Sequence, residues 1–291
     1  MPKAGRYHQG VPCWVELAAP DVERARRFYG GLFGWEYVAT GPAGAEHLVA
    51  TVRGVQVAGI RPRREVDGQG PPAWTTYLAV DDADRVAGLV QEAGGLVVFE
   101  PFEVPDQGRG VLAVDPLGAV FGLWQGSLNP GAGLVNEPGA VAWNDQLSPD
   151  PDTARDFYRQ VFGYGYDAAA ADHTVFRVNG MPVGGIGGDP GIDPDGPPAF
   201  WAVYFGAADT DRTVERAVRL GGSVLDGPEP TPFGRVAVVR DDAGAVFALI
   251  SVPPGEPAAP DGPDRTDGAD DPDGTADPGG TADPGGTATT I

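Results

Sequence analysis

Three kinds of side chain recur at matching places in two stretches of this 291-residue chain, and together they could hold or transform a small molecule. Trp14 and Glu16 stand two residues apart, as do Trp143 and Asp145. Residues two apart on a strand share a face, so each stretch presents an aromatic ring beside a carboxylate. Tyr77 and Tyr204 occupy matching positions further along. A sheltered carboxylate such as Glu16 or Asp145 can act as a general base, and a tyrosine hydroxyl such as Tyr77 or Tyr204 can polarise a carbonyl. Trp14, Trp143 and, later in the chain, Trp124 would supply apolar walls, which is how small-molecule pockets are lined. The same residues also suit a plain core, with rings as filling and the acids hydrogen-bonded to tyrosine or backbone. His47 and His173 begin matching strands and are candidates for a general base or for ordinary surface residues. Arg109 and Arg235 each follow a glycine and could meet the acid, an anionic ligand or a simple ion-pair partner.

These residues pair up because the chain contains an internal duplication. The segment WVELAAPDVERARRFYGGLFGWEY at Trp14–Tyr37 matches WNDQLSPDPDTARDFYRQVFGYGY at Trp143–Tyr166. His47–Ile60 matches His173–Ile186, Pro71–Arg85 matches Pro197–Arg212, and Gly108–Trp124 matches Gly234–Ile250, all in the same order. The expected organisation is a first domain over 8–126, a linker over 127–136 and a second domain over 137–253. Within each copy the pattern alternates. A strand at Cys13–Ala18 leads to Asp21, a capping residue, and then to Val22, Ala25, Phe28, Tyr29, Leu32 and Phe33 on one helical face, closed by Gly34. In the second copy Asp150 caps, Pro151 takes the first helical position and Gly163 closes the helix. Strands near His47–Val52, Val55–Ile60 and Thr75–Val80 follow, then a helix opened by Asp82 and stopped by Gly94 and Gly95. Strands near Leu96–Phe99, Val111–Val114 and Ala119–Trp124 finish the copy. Each copy is thus two strand–helix–strand–strand–strand units, which implies an α+β fold with helices on one side of a sheet and a cup on the other.

Composition narrows the partners. With 20 basic against 41 acidic residues the formal charge is −21, which disfavours a phosphate backbone as partner. One cysteine, Cys13, excludes an intrachain disulfide and a cysteine-cluster zinc site. No apolar run is long enough to span a bilayer, and the first residues lack the apolar stretch of a signal peptide, so a cytoplasmic protein is expected. From Pro254 onward there is no Phe, Trp, Tyr, Leu or Val, nine acids stand against Arg265, and GTADPGG repeats. Residues 254–291 are therefore expected to form a disordered acidic tail. The glycine-rich GGIGGDPG at Gly184–Gly191 follows a strand without opening a helix and lacks a phosphate-loop lysine.

The run Asp21–Trp35 (DVERARRFYGGLFGW) and the later Asp115–Trp124 (DPLGAVFGLW) resemble the vicinal oxygen chelate superfamily, which includes glyoxalase I, bleomycin-resistance proteins and extradiol dioxygenases. The likeness covers nearly all of Cys13–Trp124 and Val141–Val252. It implies two tandem domains of that type, each made of two βαβββ units forming a cupped mixed sheet with helices outside. Metal-dependent members place His or Glu at four strand positions per domain. Here those positions hold Trp14, Gly59, Thr75 and Gly122, and then Trp143, Gly185, Ala202 and Ala248. Apart from the weak Thr75 hydroxyl none of these can bind a metal, so no metal and no other cofactor is expected. With the resemblance setting position 14 inward, strand parity turns Glu16, Tyr77 and Trp124 into the first cup, and Trp143, Asp145, Tyr204 and Ile250 into the second. Arg61 has Gly187 as its counterpart, so the cups need not be equivalent.

The resulting expectation is a metal-free binding protein for an antibiotic or natural-product-like small molecule, acting as monomer or homodimer, without nucleic-acid or membrane partners. The alternative is a lyase, isomerase or dioxygenase/hydroxylase-like tailoring enzyme of the same superfamily.

Overall fold

A computed structural model describes residues 6–40, 47–67, 70–170, 172–188, 191, 197 and 199–253, and the expected acidic tail lies outside them. The first copy runs β1 (Pro12–Ala19), α1 (Val22–Phe33), β2 (Glu36–Thr40), β3 (His47–Val52), β4 (Val55–Pro62), β5 (Trp74–Ala79), α2 (Ala83–Glu92), β6 (Leu96–Val104), β7 (Gly108–Val114) and β8 (Val120–Gly126). The second runs β9 (Val141–Ser148), α3 (Pro151–Phe162), β10 (Gly165–Ala170), β11 (His173–Val178), β12 (Met181–Gly188), β13 (Phe200–Ala207), α4 (Thr210–Arg219), β14 (Ser223–Thr231), β15 (Gly234–Arg240) and β16 (Val246–Ser251).

The helix signals act as the residues dictate. Asp21 accepts a hydrogen bond from the Arg24 amide at 2.9 Å, Asp82 does the same for Arg85, and Asp150 for Thr153. Gly34 and Gly163 close α1 and α3 in the left-handed conformation at φ 73° and 72°. One strand is longer than its pattern implied. β6 continues past Phe99 to Val104, because bulges around Phe99 absorb Pro101, which cannot donate to the ladder.

Each copy forms one eight-stranded mixed sheet, in the orders β2-β3-β4-β1-β5-β8-β7-β6 and β10-β11-β12-β9-β13-β16-β15-β14. β1 lies parallel to β4 and antiparallel to β5, which joins the two βαβββ units at the middle of the sheet. That register sets Glu16 beside Gly59 and Thr75, and Trp14 beside Tyr77. The second copy repeats it, with Asp145 beside Gly185 and Ala202, and Trp143 beside Tyr204.

The helices lie outside the cups, on the opposite face of each sheet, and there they meet the helices of the other copy. α1 packs against α4, and α2 against α3. The buried clusters follow the same exchange. Val15, Phe28, Tyr29, Leu32 and Ile60 share a core with Phe205, Val214, Val239 and Phe247 of the second copy. Leu78, Val86, Val90 and Phe121 share the other core with Phe157, Tyr158, Phe176 and Trp201. Two buried hydrogen-bond networks stitch these halves together. The Tyr29 hydroxyl donates to Asp241 (2.9 Å) and accepts from the Trp74 indole (3.0 Å). Its duplicate, Tyr158, donates to Asp115 (3.2 Å) and accepts from Trp201 (2.8 Å). Burial pushes both Asp115 and Asp241 above the usual carboxylate range, against the pull of their amide and hydroxyl donors.

Candidate functional site

In the first cup Glu16 is the hub. Its Oε1 meets His47 Nε2 at 2.9 Å, while Oε2 accepts from Arg61 Nε at 2.8 Å and from the Tyr77 hydroxyl at 3.3 Å. Arg61 is itself locked, donating through Nη1 and Nη2 to the two oxygens of Asp67 at 2.6 Å each. The far nitrogen of His47 lies 3.0 Å from the Thr40 hydroxyl. Trp14, Trp124 and Tyr7 pack round the buried Cys13, Tyr77, Ala79 and Leu112, and the Trp124 indole donates to the Asn129 carbonyl. The polar groups of the first cup are thus partnered by its own side chains.

Burial alone would raise the Glu16 carboxyl, but hydrogen bonds and charge from His47 and Arg61 hold it below the ordinary value. A carboxyl depressed in the folded state stabilises above its unfolded pKa, and that contribution is lost as pH falls through the folded value. Glu16→Gln should therefore cost about 1–3 kcal/mol at pH 7, the worth of hydrogen bonds to a charged group, and visibly less near pH 3. Urea midpoints of both proteins at the two pH values check this; an equal gap at both would show that the carboxylate charge is not what holds the cup.

The second cup repeats the carboxylate and the imidazole but not the clamp. Asp145 Oδ1 accepts from the Trp143 indole at 2.7 Å and meets His173 Nε2 at 3.1 Å. Burial, then the nearby Asp145 carboxylate, push the Tyr204 hydroxyl well above the ordinary tyrosine range. The hydrogen bond that His173 gives Asp145 raises the imidazole, with burial opposing. Gly187 stands where the first cup has Arg61. Elsewhere the exchanges run both ways: Ala202 for Thr75, Val238 for Leu112 and Ile250 for Trp124 are smaller, whereas Val236 for Gly110 and Ala248 for Gly122 are larger. Thr75, Tyr77 and Leu112 are buried, whereas their counterparts Ala202, Tyr204 and Val238 remain partly open; Trp14 and Trp124 are partly open in the first cup, as Trp143 and Ile250 are in the second.

Strand parity thus brings Trp14, Glu16 and Tyr77 together, and Trp143, Asp145 and Tyr204 together. It does not bring in Arg109 or Arg235, and their reading as ligand-binding residues is corrected here. Gly110 pairs with Trp124 on the cup face, so its neighbour Arg109 points to the helix face, where it binds Asp84 (2.9 and 3.0 Å) and Glu103 (2.7 Å). Arg235 likewise forks onto Asp211 of α4. Asp67 was missed, because it sits in a turn that no periodicity marks. A surface recess of about 370 Å³ beside α1, lined by Arg26, Arg27, Trp35 and Tyr37, holds none of the duplicated acids.

The residues do not fit the metal centre of metal-dependent relatives. A side chain at Gly59 would run into the Glu16 carboxylate and His47, one at Gly122 into the Tyr77 ring, and one at Gly185 into Asp145 and His173. A guanidinium already occupies the Glu16 carboxylate, and the second cup offers two donors beside an indole N–H. Among the described residues no three His, Cys, Asp or Glu side chains group as a ligand set. No described helix is long and apolar enough to cross a membrane.

Comparison with known proteins agrees with this architecture. The family model described as Glyoxalase/Bleomycin resistance protein/Dioxygenase superfamily matches residues 13–123 and again 141–249. A Mycobacterium bovis protein, CFP32, provisionally named a glyoxylase, is 40% identical over 266 residues, covering 87% of this chain and 99% of its own. The anthracycline biosynthesis protein DauV of Streptomyces sp. strain C5 is 36% identical over 281 residues, covering 88% and 98%. Among solved structures, the Mn(II)-bound glyoxalase from Novosphingobium aromaticivorans superposes with a TM-score of 0.60 at 19% identity, over 84% of this chain and 83% of that one. The 2,3-dioxygenase LapB from Pseudomonas sp. KL28 gives 0.59 at 13% identity, over 84% and 93%. At such identities the last two likenesses speak for the fold alone. With both copies matched, the chain belongs to the glyoxalase/bleomycin-resistance/dioxygenase superfamily, as a tandem two-domain member.

Proposed function

We propose that this protein binds a planar, natural-product-like small molecule in its second cup, without a metal, and that the first cup is a closed scaffold. The observation that carries this reading is the unequal filling of two duplicated cups. Trp143 and Tyr204 stand side by side across β9 and β13, both partly open, whereas in the first cup Tyr77 is buried and Arg61 forks between two carboxylates. Two adjacent rings with few polar groups suit a flat aromatic ligand, since offset stacking and apolar burial act together. DauV is named for anthracycline biosynthesis, and a relative of that name supports a polycyclic aromatic ligand class. The donor set described above supports a metal-independent role.

The test is a titration with 1,8-dihydroxyanthraquinone followed by tryptophan fluorescence, with stoichiometry from isothermal calorimetry. One ligand per chain, with saturable quenching, is expected. Two per chain would show that both cups bind, and no saturable quenching would remove the ligand class.

A further inference from the structure

Helix α1 carries two consecutive glycines, Gly30 and Gly31, where α3 has Arg159 and Gln160. Glycine is costly inside a helix, so each calls for a reason. Gly31 has one in packing, since a Cβ there would come within 2.9 Å of the Leu220 side chain at the end of α4. Gly30 has none of that kind, because its Cβ would stand 3.4 Å from the Tyr37 ring, an ordinary contact. The second copy shows what a longer side chain does at this position. Arg159 lies over the Tyr166 ring at 5.0 Å and pairs with Asp156 at 2.5 Å. Tyr37 and Tyr166 are held alike, their hydroxyls donating to the carbonyls of Arg26 (3.1 Å) and Arg155 (2.8 Å). The second copy thus covers its own ring, whereas Gly30 leaves the Tyr37 ring in the wall of the recess beside α1.

The charges beside the ring are exchanged as well. Arg27 stands where the second copy has Asp156, Glu36 where it has Gly165, and both line the recess. Arg26 is committed to Glu23 at 2.9 Å. Among the described residues, the Arg27 guanidinium and the Glu36 carboxylate pair neither with each other nor with another side chain. The recess therefore offers an aromatic face, an unpaired cation and an unpaired anion together. At about 370 Å³ it lies at the small end of ligand pockets, which run from about 300 to 1,000 Å³. A bare aromatic carboxylate would meet Glu36 on a chain of formal charge −21, and a bare aromatic amine would meet Arg27. A zwitterion suits both, with a charge-assisted hydrogen bond at each end.

We infer that this recess, on the helix side of the first sheet and apart from both cups, binds an aromatic α-amino acid. The ligand ring stacks on Tyr37 over Gly30, in the place that Arg159 fills in the second copy. The ligand carboxylate accepts from Arg27, and its ammonium donates to Glu36. Trp35 is buried behind the ring with its indole committed to the Gly139 carbonyl, so it serves as apolar backing. The inference is independent of the second-cup reading, because no residue of the recess belongs to that cup.

The probe is L-phenylalanine, titrated into the full chain by isothermal calorimetry beside 3-phenylpropanoate and phenethylamine, each of which lacks one charge. One L-phenylalanine per chain is expected, with each analogue bound about ten-fold more weakly, the effect of losing one hydrogen bond to a charged group. Arg27→Gln should weaken L-phenylalanine by about ten-fold while phenethylamine binds no worse. Glu36→Gln should do the same with 3-phenylpropanoate spared. Both positions are exposed, so neither change threatens the fold. Gly30→Arg should abolish binding by laying a guanidinium on the ring, and should raise the urea midpoint. Trp143→Ala, in the second cup, should leave the titration unchanged. Absence of saturable binding, equal affinity for the three probes, or undiminished binding in Arg27→Gln or Gly30→Arg overturns the inference. Loss of binding in Trp143→Ala would place the amino acid in the second cup and overturn it as well.

Discussion

Trp143→Ala should weaken binding of 1,8-dihydroxyanthraquinone by roughly 30-fold, whereas the duplicate change Trp14→Ala should leave affinity within about two-fold. The size follows from what the indole supplies. Covering one ring face with about 60 Å² of apolar contact is worth about 1.5 kcal/mol, and offset stacking adds roughly 0.5–1 kcal/mol. That sum is about 2 kcal/mol, which is the 30-fold stated. Trp14 is equally aromatic but already packed against the buried cluster of Cys13, Tyr77, Ala79 and Leu112, so its loss costs stability instead of affinity. Trp143→Phe separates the ring from its N–H. It keeps a stacking face and gives up the hydrogen bond to Asp145, and should retain most of the affinity. Fluorescence titration of the three variants settles the matter. Equal losses for Trp14→Ala and Trp143→Ala would mean that both cups bind, or that neither does.

The second large effect concerns the joint between the copies. Tyr29→Ala should destabilise the whole body by about 4–6 kcal/mol, combining the cavity left by an aromatic ring with two orphaned polar groups. Tyr29 is fully buried, stacked on Trp35 with ring centroids 5.5 Å apart and set against Trp74 and Phe247. Without its hydroxyl, Asp241 loses a donor and the Trp74 indole loses its acceptor. Tyr29→Phe isolates that part and should cost about 1–3 kcal/mol. Because Asp241 belongs to the second copy, either variant should lower the urea midpoints of both copies in one transition. Circular dichroism and tryptophan fluorescence would then coincide. A Tyr29→Phe protein within 0.5 kcal/mol of wild type, or a second copy unfolding separately at its native midpoint, would show that the network does not couple them.

The cup residues were legible because strand parity is a covalent fact. Once Trp14 faces in, Glu16 must, and pairing with β5 brings Tyr77 alongside. The same rule, carried to β7, places Gly110 inward and Arg109 outward, onto the helix face and its acids. Arg61 was marked by its missing counterpart, since a large charged residue opposite a glycine is visible in any alignment of the copies. Its partner Asp67 was not, because a three-residue 3₁₀ turn carries no period to place it. Whether a duplicated cup is open or filled also escaped the sequence. Identical motifs leave the filling to rotamers and to neighbours distant in the chain.

By itself, the sequence determined the duplication, the order of strands and helices within each copy, and the three side chains that share each cup. Local physics suffices for these: capping hydrogen bonds, helical periodicity and the two-residue pleat act over a few residues. Only the tertiary structure decided which copy completes which. The Phe-Tyr helix motif and the Asp-x-x-Gly turn occur once in each copy, so Tyr29 could have met Asp115 of its own copy or Asp241 of the other with the same residues. The packing chose the second, across 212 positions, because each helical face finds its apolar cover on the opposite copy. It decided likewise that Arg61 forks between Glu16 and Asp67 in the first cup, a clamp for which Gly187 has no side chain in the second.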